Sequence, residues 1–253
     1  NIIGDYIQEY GDAYVSNLSV HLNSESEDDN GKLVVTGTAT LDGELTITNA
    51  TSLTFRVGQI NGLIGEALVT NMDSESTTLE MSLTDSPPAP LPLSLIIALP
   101  RPKMFRRILQ SSASMGLKSV YVINAFKVEK SYWQSKFLQA DKIKEQFILG
   151  LEQSCDTQMP EIFFYPSFKR FIEEKLDGIV CPGFNFVAHP TSSVTCPINL
   201  DAKSLVAVGP EGGFTPYEIQ QFLNNGFRSV SLGPRILRVE NAVPAILSRL
   251  YPR

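Results

Sequence analysis

Residues that build metal centres and disulfide frameworks are scarce in this chain, with three cysteines and two histidines among 253 residues. Cys155, Cys181 and Cys196 form an odd set with no C-x-x-C pair, so neither a disulfide framework nor a zinc site is indicated. They read as buried or incidental thiols in a reducing compartment, and no metal is expected. Long apolar runs are missing as well. Leu93 to Leu99 falls far short of the roughly eighteen residues that mark a membrane span, so no membrane segment is expected. The first residues, Asn1-Ile2-Ile3-Gly4-Asp5, have no basic n-region and no long apolar h-region, which argues against a secretory signal. Their acidity argues against an organellar transit peptide. A cytoplasmic location is the expectation, with an organellar one open if a presequence has been removed.

Positive charge is nearly absent from the first third. Residues 1–90 hold fourteen Asp/Glu and two Lys/Arg, Lys32 and Arg56, a balance of −12. Residues 101–144 reverse this with ten Lys/Arg against two Asp/Glu, or +8, and residues 145–253 stand at −2. Phosphate contacts are made by a local basic patch rather than by the net charge, so the middle of the chain is the candidate nucleic-acid face.

What the chain does contain is concentrated between Leu205 and Leu250. A buried-strand run, Leu205 to Val208, stops at Gly209-Pro210-Glu211-Gly212-Gly213-Phe214, where glycines let a ligand approach the main chain closely. Thr215-Pro216 then opens a helix, with threonine as N-cap, proline at the first helical position and Glu218 completing a capping box. The loop lacks the Gly-Lys-Ser/Thr ending of a phosphate loop and the G-x-G-x-x-G of a dinucleotide fold. Glu211 would repel a polyanion, so a neutral or cationic ligand is favoured. A second loop, Leu232-Gly233-Pro234-Arg235-Ile236-Leu237-Arg238, follows another short strand. Leu232, Ile236 and Leu237 can line an apolar slot there, while Gly233 and Pro234 set a turn with free backbone groups, which suits a flat heterocycle.

G-P-E-G-G-F followed by L-G-P-R-I-L-R-V-E-N-A resembles the C-terminal signature of the RsmE family, the small-subunit ribosomal RNA uridine N3-methyltransferases of the SPOUT superfamily. Further likeness runs back to about Leu93 through Ala98-Leu99-Pro100-Arg101-Pro102-Lys103, Val128-Glu129-Lys130-Ser131-Tyr132-Trp133 and Glu152-Gln153-Ser154. The resemblance implies an α/β fold with a mostly parallel sheet and a C-terminal trefoil knot, preceded by a small PUA-like β-barrel. It also implies binding of S-adenosyl-L-methionine by the two loops, a homodimer, and ribosomal RNA or the small ribosomal subunit as partner. The cofactor residues would be His189, Gly209, Pro210, Glu211, Gly212, Gly213, Leu232, Gly233, Ile236, Leu237 and Arg238. A SPOUT enzyme with another RNA target, or a non-catalytic RNA-binding or ribosome-assembly protein, are the alternative readings. Asn241 stands where the family usually has threonine.

The rest of the chain falls into segments. Short alternating runs between Tyr14 and Leu83, separated by Asp42-Gly43, Val57-Gly58 and Asn61-Gly62, read as a small antiparallel barrel. The acidic run Glu25 to Asp29 reads as a solvated loop. Four prolines between Ser86 and Pro92 read as a stiff linker, which gives domains at 1–86 and 93–253 with the linker at 87–92. Beyond it strands alternate with helices, the layout of a mostly parallel sheet. Pro244 places the regular start of the last helix close to itself.

Methylation at a uracil ring nitrogen needs the methyl donor in line with N3 and removal of the N3 proton. Glu211, Glu240 and Arg238 are the catalytic candidates, Arg238 as stabiliser of charge on a uracil carbonyl, with an ion pair to Glu240 as the competing role. Arg101, Lys103, Arg106, Arg107, Lys127 and Lys130, interleaved with Tyr132 and Trp133, are the RNA candidates, since cations beside aromatics suit unpaired nucleotides. A core position is the competing role for Trp133.

Overall fold

The alternating runs of the first third do pair as antiparallel strands. The computed structural model describes residues 54–72 and 77–252 continuously. Before them it describes the short strands β1 (Ile2–Gly4), β2 (Tyr14–Val15), β3 (Ser19–His21), β4 (Ser26–Glu27), β5 (Lys32–Val34), β6 (Thr40–Asp42) and β7 (Leu45–Thr46). Then come β8 (Thr54–Gln59), β9 (Ile64–Met72) and β10 (Thr77–Asp85). Eight of these strands form one sheet in the order β4-β5-β10-β9-β8-β1-β3-β6, and β2 pairs separately with β7. Apart from Ser26–Glu27, the expected acidic loop lies outside the described residues, as does Gly43 of the Asp42-Gly43 turn.

Period-two patterning explains the best-described part of this sheet. Leu79, Met81 and Leu83 point inward from β10, with Val57, Ile64 and Ala67 buried on β8 and β9. The β8–β9 turn closes by a Gly62 amide bond to the Gln59 carbonyl at 2.7 Å, with Asn61 at φ 59°, a conformation asparagine tolerates. A β-carbon at Gly65 would collide with the Ser82 carbonyl across the β9–β10 pair, next to an irregularity in register at Leu83/Asp85.

The second half makes a six-stranded, wholly parallel sheet. Its strands are β11 (Leu93–Ala98), β12 (Ser119–Ile123), β13 (Glu161–Tyr165), β14 (Asn185–Ala188), β15 (Ser204–Val208) and β16 (Arg228–Val230), in the order β13-β12-β11-β15-β14-β16. Val206 of β15 lies opposite Leu95 of β11, which lies opposite Val120 of β12. All five residues of β15 are buried, as expected of a central strand covered on both faces. The connecting helices are α1 (Pro102–Ser114), α2 (Ala140–Ser154), α3 (Phe168–Arg170), α4 (Pro216–Asn224) and α5 (Val239–Leu250). Two 3₁₀ turns, Lys130–Gln134 and Lys136–Leu138, precede α2. The helix expected over Pro166 to Leu176 is α-helical only at α3 and continues as a π turn over Phe171–Lys175. Phe214, Phe222, Phe227 and Phe168 pack ring to ring at 5.0 to 5.7 Å, and Phe222 is fully buried.

Three expectations about boundaries need correction. The chain divides into two units, residues 1–89 with 148–159 and residues 90–147 with 160–253, so a stretch expected in the second domain belongs to the first. The cause is visible at the β8–β9 turn: Asn61 N–H donates to the Thr157 carbonyl at 2.7 Å, Thr157 Oγ1 to the Gly62 carbonyl at 2.6 Å, and Met159 N–H to Asn61 Oδ1 at 2.8 Å. The proline-rich stretch is not a free spacer throughout, because the Pro92 carbonyl accepts from Ser204 N–H at 3.0 Å and Leu91 N–H donates to Gly116. Finally, α5 begins at Val239 and carries Pro244 within it. Proline near a helix start removes only one hydrogen bond, here the one Glu240 would accept.

The end of α5 is tied back to the segment before β15. Asn199 and Leu200 donate to the carbonyls of Arg249 and Leu250 at 3.1 and 2.7 Å. The Tyr251 hydroxyl lies 2.5 Å from the Ala202 carbonyl, 3.1 Å from the Pro92 carbonyl and 2.8 Å from Ser204 Oγ. Burial raises the pKa of this phenol. A raised pKa contributes stability that is complete below the ordinary tyrosine range and lost as pH rises through the folded value. Replacing Tyr251 with phenylalanine should cost about 1–3 kcal/mol at neutral pH, chiefly from the Ala202 carbonyl left without this donor. The gap to wild type should narrow above about pH 10, and urea titrations across pH check both.

Candidate active site

Parallel pairing puts every strand's C-terminal end on one edge of the second unit's sheet. From β11 the chain steps outward to β12 and β13, then returns to fill the other side with β14, β15 and β16, so the order reverses between β11 and β15. Ligands of open parallel sheets bind outside the strand ends at such a reversal. Residues Leu99 to Arg101 follow β11, the glycine loop 209–214 follows β15, His189 follows β14, and the second loop follows β16.

The first glycine loop is held by polar ties to its neighbours. Gly209 must be glycine, because a β-carbon there would stand 2.9 Å from the Phe214 amide nitrogen. Gly213, at φ +70°, donates to the Pro210 carbonyl at 2.7 Å. Glu211 Oε1 accepts the Arg101 amide at 2.9 Å, and Lys127 Nζ donates to the Gly212 carbonyl at 2.7 Å. The capping box at Thr215 forms as the sequence predicts. Glu218 Oε2 accepts the Thr215 amide and hydroxyl at 2.7 and 2.9 Å, while Oε1 accepts the Phe126 amide from the segment after β12 at 2.7 Å.

The second loop is open. Gly233 adopts φ +121°, closed to other residues, and Leu232 is half-buried. Ile236 and Leu237 are exposed, Ile236 at 82 %, so they form an uncovered apolar rim. The carbonyl of Arg238, the N-cap of α5, accepts the amides of Asn241 and Ala242 at 2.9 and 2.8 Å. Glu240 sits in the first helical turn, and no ion pair joins it to Arg238 among the described residues, which removes the competing role for that arginine. His189 donates its amide to the Val230 carbonyl at 2.9 Å. Its Nδ1 faces the Thr191 hydroxyl at 2.9 Å and the Thr191 amide at 3.4 Å, an arrangement that favours the proton on Nε2.

The RNA candidates divide into two groups. Lys127 is bound to the first loop. The Arg101 guanidinium is hydrogen-bonded to Tyr132, which, with Glu211 and Glu129 nearby, raises its pKa further. Tyr132 in turn donates to Glu129 Oε1 at 3.0 Å. Trp133 is half-buried, donates to Asn124 Oδ1 at 2.9 Å and meets Phe164 edge-on, so the competing packing role describes it better than a free stacking surface. Arg106 lies over the Phe137 ring at 5.0 Å and reaches the buried Gln146 at 3.4 Å. Lys103, Arg107 and Lys130 remain exposed, with no ion pair to any described residue. Sequence reasoning missed the outward reach of Glu218 and the exposed Phe126; neither carries a local signal, since a capping glutamate and a lone phenylalanine look ordinary in a sequence.

Parallel strands ending in a stapled glycine loop beside an open apolar loop match a known class. A model of the RNA methyltransferase domain covers residues 87–251. Ribosomal RNA small subunit methyltransferase E of Treponema pallidum is 30% identical over 198 residues, which are 76% of this chain and 74% of that one. The enzyme of the same name from Synechocystis is 27% identical over 200 residues, 78% of this chain and 65% of the relative's length. The chain belongs to the ribosomal RNA small subunit methyltransferase E family. A solved structure of that enzyme from Neisseria gonorrhoeae, bound to S-adenosyl methionine, shares the fold with a TM-score of 0.59 at 22% identity, covering 73% of this chain and 76% of that one.

If the loop is stapled as described, Glu218→Ala should destabilise the protein by about 2–3 kcal/mol, from a lost cap of about 1 kcal/mol and an orphaned Phe126 amide. Glu211→Ala, at an exposed position, should cost under about 1 kcal/mol. Equal costs in chemical denaturation would contradict this ranking.

Proposed function

We propose that the protein transfers a methyl group from S-adenosyl-L-methionine to N3 of a uridine in small-subunit ribosomal RNA. The observation that carries this reading is the pair of glycine loops at the order reversal of a parallel sheet in a chain of this family. The loops fit the cofactor: Gly233 is free of a side chain, and Leu232, Ile236 and Leu237 offer apolar surface to an adenine ring. Bound there, the cofactor supplies an electrophilic methyl group.

The chain's residues then divide the work. Gly209, Pro210, Glu211, Gly212 and Gly213 shape the first wall, with Glu211 holding the loop rather than moving a proton, since its Oε1 is committed to the Arg101 amide. Arg238, unpaired with Glu240, stabilises charge that develops on a uracil carbonyl as N3 loses its proton. Glu240, in the first turn of the helix that Arg238 caps, is the acceptor for that proton, and His189 borders the pocket from the end of β14. Lys103, Arg107 and Lys130 hold phosphates.

The same reading covers the architecture. The ties from Asn199 and Leu200 to the end of α5 support a C-terminal trefoil knot. The antiparallel strands of the first unit support a PUA-like barrel over residues 1–86 that also takes in residues 148–159, joined through 87–92 to a methyltransferase domain over the rest of 93–253. The exposed Ile198 and Ile236 support a homodimer. A cytoplasmic enzyme without a metal completes the proposal.

Mapping methylated nucleotides in ribosomal RNA tests the activity: cells with Gly233→Val in place of wild type should lose the same N3-methyluridine as cells lacking the gene. The purified variant should lose cofactor affinity about tenfold or more by calorimetry, from strain at φ +121°. An unchanged methylation map would sink the proposal. Neutralising Lys103, Arg107 and Lys130 together should flatten the salt dependence of RNA binding by about 0.7 in log–log slope per lost phosphate contact. Neutralising Lys32 and Arg56 should flatten it less, and the reverse order would move the RNA face to the first unit.

A further inference from the structure

A platform for an unpaired base must be aromatic, exposed and held still. Tyr132 and Trp133, the stacking candidates the sequence offers, are each engaged elsewhere, one by Glu129 and Arg101 and the other by Asn124 and Phe164. Phe126 meets all three conditions. It is 83 % exposed, the most exposed large apolar side chain among the described residues. Its backbone is fixed nonetheless: the amide donates to Glu218 Oε1 at 2.7 Å, and the turn it occupies is closed by a Val128 to Ala125 bond of 3.0 Å. The following residue, Lys127, is anchored on the Gly212 carbonyl, which sets Phe126 at the border of the first glycine loop. Lys130, exposed and without an ion pair to any described residue, lies a few residues further along the same segment.

We propose that Phe126 is a stacking platform for an unpaired nucleotide of the RNA substrate, placed beside the glycine loop so that a base held on the ring sits next to the methyl-transfer site. This deepens, and rests on, the reading of the protein as an RNA methyltransferase. The surrounding charge favours RNA over a second copy of the chain. Lys127, Lys130 and Lys136 follow the ring within ten residues against the single acid Glu129. A two-fold contact between copies would set such patches against each other, whereas a phosphate backbone neutralises them. With the backbone already fixed, only the two side-chain torsions are left to order when a base lands on the ring.

The test uses the full chain and two probes, a short single-stranded oligouridylate and an A-form duplex of the same length. Phe126→Ala should weaken oligouridylate binding about ten- to a hundredfold, the loss of one base–aromatic stack. Duplex binding should change by less than about twofold, because a paired base presents no free face. The salt slope should stay as in wild type, since no charge is lost, and Phe126→Trp should restore the affinity. Unchanged oligouridylate affinity in Phe126→Ala overturns the proposal. So does a loss of affinity accompanied by conversion of a dimer to a monomer in light scattering, which would assign the ring to a contact between copies. Neither probe requires the cofactor. Retained cofactor affinity in Gly233→Val would therefore overturn the reading of the loops while the oligouridylate measurement still decides the platform.

Discussion

The carboxylate of Glu218 is the junction on which the site depends. One oxygen caps α4 through the amide and hydroxyl of Thr215, and the other holds the Phe126 amide in the segment after β12. The side chain is 3 % exposed, so each of these donors would be costly to strand. A glycine loop is adaptable because its backbone has few steric limits, and the same freedom would leave it disordered without outside restraint. Glu218 supplies that restraint from the helix side. Glu211 and Lys127 supply it from the loop itself, by bonds to Arg101 and Gly212. Ties spanning about a hundred residues of sequence thus convert flexible chain into a defined wall.

This arrangement reassigns charge within the basic segment. A cluster of cations read along the sequence looks like one phosphate-binding surface, but its members sit in different fields. Lys127 is held by the Gly212 carbonyl, and the Arg101 guanidinium by Tyr132 with Glu211 nearby, so both are engaged at the loop. Arg106 spreads its guanidinium over Phe137, a use of arginine that lysine could not match. Only the outward-facing remainder presents full charge to a polyanion. Part of the segment therefore serves to hold the loop in shape, and charge at the site and order at the site are coupled.

Much of this was legible in the sequence because the signals are local. The alternation of strands and helices after Leu93, the capping box at Thr215 and the turn at Asn61-Gly62 each depend on a few adjacent residues, and each appears in the structure. The shared edge for the two glycine loops follows once the strands are parallel. What escaped was long-range. No periodicity reveals that residues 148–159 join the first unit, because the bonds from Asn61 and Gly62 to Thr157 and Met159 are made by groups any loop carries. Pro244 does not mark the start of its helix, since a helix tolerates proline in its early turns at the loss of one bond. Trp133 is ambiguous in the sequence because a ring beside lysines can stack or pack; the Asn124 acceptor, nine residues earlier and just past the end of β12, decides it.

The division of α2 between units has a consequence for how such a protein could have been assembled in evolution. The chain passes from one unit to the other at three places, after residues 89, 147 and 159. A module joined to its neighbour by one linker can be gained, lost or exchanged by a single recombination event. Here a cut at the proline-rich stretch would leave twelve residues of the first unit behind in the other gene fragment, among them Thr157, whose backbone and side chain close the β8–β9 turn. The two units are therefore inherited together, and changes in one are screened by selection in the presence of the other.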